Sequence, residues 1–115
     1  MTPVQEVDVH TSKKVLYKGR LIQPYGSATY HAEIDLHDSE FQWPFSSRVS
    51  FHESFPDVQS AYERMLAWIN GHSKVHTYPL EYVNNPCNCE FIKQPDQEAI
   101  VHKLGLSVPV RVNGA

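Results

Sequence analysis

The sequence predicts an α+β domain: a curved antiparallel β-sheet of three to five strands in β-β-β-α order, with one main helix packed on one face and a short helix near the C-terminus. Three observations carry this. Residues 28–37 alternate apolar and polar side chains, the period-two signature of a strand buried on one side. Val58, Ala61, Tyr62, Met65, Leu66 and Ile69 fall at helical spacing and form one apolar stripe,. The chain, at 115 residues and 41% apolar, suits one hydrophobic core and is too apolar for a solvated coil.

Residues 1–12 are mostly polar and are read as a flexible N-terminal arm, leaving 13–115 as a single domain,. Residues 14–22 are rich in strand formers, and Pro24 and Gly26 supply a turn before the 28–37 strand,. A reversal centred between Tyr25 and Gly26 sets Lys18 against Glu33 and Arg20 against His31. A one-residue slip would put Lys18 against buried Ala32,. Residues 47–53 give a third strand with Val49 and Phe51 inward. The helix is expected over 54–71, opened by Ser54 with Asp57 three residues on, and closed by Gly71,. Residues 74–83 suggest a fourth strand, 84–89 a loop, 96–104 a short helix stopped by Gly105, and the alternation Leu106, Val108, Val110, Val112 a last strand,.

Composition excludes several classes. The longest apolar run is five residues, at 65–69, against about 20 for a membrane span, so no membrane partner is expected. The opening residues lack the blocks of a secretory signal. Two cysteines make no disulfide framework, which points to the cytoplasm,. A net charge of −3 does not suit a general nucleic-acid coat. Catalytic signatures (a nucleophile elbow, a phosphate-cradling glycine loop, H-E-x-x-H) are missing from the sequence,, so the chain is read as non-enzymatic.

The candidate sites are three. The outward side of the 28–37 strand carries His31, Glu33, Asp35 and His37. With Asp38, Glu40, Phe41 and Trp43 in the connection that follows, it predicts an acidic, aromatic-flanked surface for a protein partner, since aromatics anchor interfaces and acidic faces suit basic partners. Glu33, Asp35, Asp38, Glu40, Phe41 and Trp43 are its contact residues. The aromatics equally suit a lid over the sheet, and a homodimer across this side is a further option.

Second, His72 and His76 followed by Cys87 and Cys89 are zinc-ligating residue types, and His-x3-His has zinc-finger spacing. This gives the alternative of a zinc-binding domain. The C-x-C spacing is short for a knuckle, and two histidines on a strand would stand about 13 Å apart.

Third, Lys13, Lys14, Lys18 and Arg20 form a basic run without acids over 11–27, the basis of a nucleic-acid alternative. The segments Tyr17-Lys-Gly, Tyr30-His-Ala-Glu-Ile34, Phe51 and Trp68-Ile-Asn-Gly71 loosely resemble the sheet-plus-helix DNA-binding domains at the amino terminus of integrases. That resemblance implies DNA read by the sheet face, where this chain carries His31, Glu33, Asp35 and His37.

Overall fold

Six strands and two helices follow one another as β1 (Gln5–Thr11), β2 (Val15–Ile22), β3 (His31–Asp38), β4 (Ser46–Ser50), α1 (Val58–Val75), β5 (Leu80–Asn85), α2 (Gln94–Lys103) and β6 (Val110–Val112). This computed structural model describes residues 4–13, 15–24, 26–38, 46–51, 53–86 and 91–112. The strands form one sheet in the order β4-β3-β2-β1-β5-β6. All neighbours are antiparallel except β5 and β6. The class is therefore α+β as expected, but the sheet is mixed. A parallel pair needs a crossover connection, and α2 provides it.

The expected arm is a strand. β1 lies in the middle of the sheet between β2 and β5, with Gln5, Val7, Val9 and Thr11 buried in alternation. Its polar inward residues are satisfied there. Gln5 donates to Asn85 Oδ1 at 3.0 Å and accepts from the Ile92 N–H at 2.7 Å. The Thr11 hydroxyl donates to the Val15 carbonyl at 2.7 Å.

The β2–β3 hairpin keeps the expected faces but not the expected register. Lys18 stands opposite Asp35, and Arg20 opposite Glu33. The loop is wider than a tight turn, because Ser27 N–H bonds the Pro24 carbonyl, Gln23 bonds the Ser27 carbonyl and Ser27 pairs with Thr29. Gly26 takes φ +76° within it. The shift is two residues, so every side chain stays on its predicted side.

Helix α1 starts and ends later than expected. Asp57, not Ser54, is the N-cap, accepting from the Ser60 N–H at 2.7 Å,. That bond to the ionised form holds its carboxyl below the usual carboxylate range,. Gly71 does not stop the helix. His72 and Ser73 continue it because both find partners, Tyr17 and the Asn70 carbonyl. The chain turns at Thr77, which adopts φ 54° in the left-handed position that glycine more often fills,. Residues 74–79, expected in a strand, therefore belong to the helix end and its turn.

All six residues of the predicted stripe are buried, with Val7, Val9, Val15, Tyr17, Leu21, Ala32, Ile34 and Val83 of the sheet beneath them. Burying a large aliphatic side chain contributes about 1.5–3 kcal/mol, so this stripe is the main source of cohesion. The closest approach is at Gly19, where Met65 occupies the space a Cβ would need. Helix α2 lies on the same side as α1. Gln97 accepts from Tyr62 of α1 and from Asn85 of β5, both at 3.0 Å, and donates to the Ile92 carbonyl at 2.8 Å. Among the described residues no helix is long and apolar enough to cross a membrane.

Candidate functional site

With both helices on one side, the other side of the sheet is uncovered by any described element. The pleat sends the even-numbered residues of β1 and β2 and the odd-numbered residues of β3 to it. The register then aligns them in rows. Arg48, Asp35, Lys18, Asp8, Asn84 and Arg111 occupy one row across all six strands, and Glu33, Arg20 and Glu6 the row beside it. Charge therefore changes sign from strand to strand: acidic on β3, basic on β2, acidic on β1. Neighbouring strands are about 4.8 Å apart, and opposite charges directly across strands contribute roughly 0.2–1 kcal/mol each.

The pairing is firmest at Arg20. Its Nη1 donates to Asp35 Oδ2 at 2.8 Å, and its Nε lies 3.9 Å from Glu33 Oε1. Asp35 is only 7% exposed, so it is a buttress of this face more than a contact. Nη2 of the same guanidinium is buried without a hydrogen-bond partner. Asp8 is half-buried, and burial pushes its carboxyl above the usual range against the pull of Lys18,. A depression of about 220 Å³ lies here, lined by Glu6, Asp8, Lys18, Gly19, Arg20 and Pro86. Toward the β6 edge, His10 stacks on Tyr82 with centroids 4.3 Å apart, and Arg111 covers Tyr82 at 4.2 Å,.

Glu33 and Asp35 thus occupy the predicted face. Asp38 ends β3, while Glu40, Phe41 and Trp43 lie outside the described residues. The basic residues of β2 and β6 share the face, so its described part is mixed in sign. Glu6 and Asp8 were hidden by the reading of 1–12 as an arm; the alternation of Val7 and Val9 with acids is the signal that could have placed them.

A second cluster stands on the helical side. Trp68 and His72 of α1 and His76, its C-cap, follow at intervals of four, and Tyr78 completes a column of four rings. Trp68 stacks on His72 at 4.8 Å, His72 lies 4.3 Å from His76, and His76 stacks on Tyr78 at 5.7 Å. The Tyr17 hydroxyl, on a fully buried residue, lies 2.8 Å from His72 Nδ1. Burial raises the phenol far above its ordinary value, so it remains a neutral hydroxyl. Burial and the neighbouring His76 lower the His72 imidazole,.

The helix brings His72 and His76 together, where a strand would have separated them. Cys87 and Cys89 lie outside the described residues. Pro86, which precedes them, is beside Glu6 and Arg20, at the opposite end of β5 from the turn that follows His76. Among the described residues no three of His, Cys, Asp and Glu gather to hold a metal.

The chain matches no protein-family model, no curated protein and no solved structure. The segments that resemble integrase amino-terminal domains span β2, β3, the residues after β4 and α1, but β1 and the β5-α2-β6 unit extend the sheet beyond that pattern.

Proposed function

We propose that this is a non-enzymatic binding protein, regulatory or accessory in role, that docks a protein partner on the uncovered face of its sheet. The sign alternation from strand to strand carries this reading. Strand-borne charges held by cross-strand pairs lose little freedom on binding, and an ordered pattern of charge fixes register and orientation more than raw affinity. The complementary surface repeats its own charges at about 9.6 Å, twice the strand spacing, and offers an acceptor to the Arg20 guanidinium. A protein surface can meet that pattern. A nucleic-acid backbone is negative throughout and would meet the acids of β1 and β3 as well as the bases of β2. Phe41 and Trp43, in the sequence between β3 and β4, are residue types that anchor such interfaces.

The test is affinity capture from the native host with wild type, Glu6→Lys, Lys18→Glu and, as a helix-side control, Glu98→Lys. All three positions are exposed. The two sheet variants should each lose at least ten-fold of a specific partner, with binding that weakens as salt rises. A partner retained by both sheet variants, or lost only from Glu98→Lys, refutes the assignment.

A further inference from the structure

We propose that His72 and His76 form a site for a late first-row divalent metal ion, chiefly copper(II) or zinc, at the C-terminal end of α1, with water completing the coordination. Residues four apart on a helix share one face, and paired histidines at that spacing are a recurrent way of gripping one ion from a helix. Metal–imidazole bonds are about 2.0–2.1 Å, so the two ligating nitrogens must come within about 4 Å of each other. Ring centroids 4.3 Å apart and tilted by 34° set the two imidazoles beside each other, so sharing an ion requires one ring to turn its nitrogen toward the other. His76 is exposed and caps the helix C-terminus, so its ring is the one free to turn.

The surroundings supply what such a ligand requires. A metal-bound histidine is usually oriented by a hydrogen bond at its other ring nitrogen. Here the Tyr17 hydroxyl, 2.8 Å from Nδ1, holds the His72 ring and reserves Nε2 for the ion. In the metal-bound form Nδ1–H donates to the Tyr17 oxygen across the same contact. Among the described residues no side chain hydrogen-bonds to Nε2 of His72 or to either ring nitrogen of His76. Trp68, stacked on His72, limits the rotation of that ring. Imidazole pairs favour copper over nickel and zinc, and no thiolate is needed.

The geometry supplies its own reporter, because an ion on His72 lies beside the Trp68 indole. Untagged Trp43→Phe protein, whose sole indole is Trp68, is titrated with copper(II) chloride while tryptophan emission is followed, and zinc chloride is then added in competition. Saturable quenching at one equivalent is expected, relieved by zinc only in large excess. Adding His76→Gln should weaken it at least ten-fold while circular dichroism stays unchanged, and adding Cys87→Ser and Cys89→Ser should leave it intact. Absence of saturable quenching, quenching unaltered by His76→Gln, or its loss in the cysteine variant each overturns the two-histidine site.

Discussion

Replacing Gln97 by Met tests whether the buried amides hold the C-terminal third onto the sheet. The exchange nearly conserves volume and leaves an unbranched side chain, so the cavity contribution is small. The Tyr62 hydroxyl and the Ile92 carbonyl lose their partner, whereas Asn85 keeps the Arg111 carbonyl at 3.1 Å. A buried polar group left unsatisfied costs about 1–3 kcal/mol. Two such groups put the expected loss at about 4 kcal/mol, a large share of the 5–15 kcal/mol typical of a domain. Tyr62→Phe alone should cost about 1 kcal/mol, since Gln97 Oε1 retains Asn85. In the double variant no hydroxyl is left stranded, so its loss should fall short of the sum by about 1–2 kcal/mol. Urea denaturation followed by circular dichroism gives all three values. Additivity within about 0.5 kcal/mol, or a Gln97→Met loss below about 1 kcal/mol, would show that the network does not act as a unit.

Two further perturbations probe α1. Gly19→Val drives a side chain into the Met65 thioether and should destabilise by about 1–3 kcal/mol. Pairing it with Met65→Ala should recover part of that in the same denaturation assay. Asp57→Ala removes the N-cap and should cost about 1 kcal/mol at neutral pH. The folded-state carboxyl titrates below its unfolded value of about 3.9,. The gap between wild type and variant should therefore be full above that pH and narrow as pH falls through the folded value. A gap independent of pH from 2 to 7 would count against an ionised cap.

How much of this was legible depended on where each residue finds its partner. The α1 stripe and the sidedness of β3 could be read because apolar periodicity records burial directly. β1 could not, because two of its four inward positions are Gln5 and Thr11, and the bonds that make Gln5 tolerable come from residues at least 80 positions away. Gly71 misled for a similar reason: a tertiary partner for His72, the Tyr17 hydroxyl 55 positions away, outweighed a local stop signal. The parallel β6 is only three residues long, too short for alternation to declare its direction. The candidate face was half visible, since Lys18, Arg20, Glu33 and Asp35 share a hairpin. The stripe of Glu6 and Asp8 appears only once β1 is placed, and the ring column only once the helix runs past Gly71.

The central position of β1 bears on how the molecule is made. A ribosome delivers β1 well before β5, and Gln5 meets Asn85 across 80 positions. Until the later strand clears the exit tunnel, one flank of the nascent β1 exposes unpaired backbone groups, the kind of open edge that invites a neighbouring chain. Acids and a histidine on one side of that strand are the only guards it carries meanwhile, so overproduction at high translation rates should favour aggregates nucleated at residues 5–11.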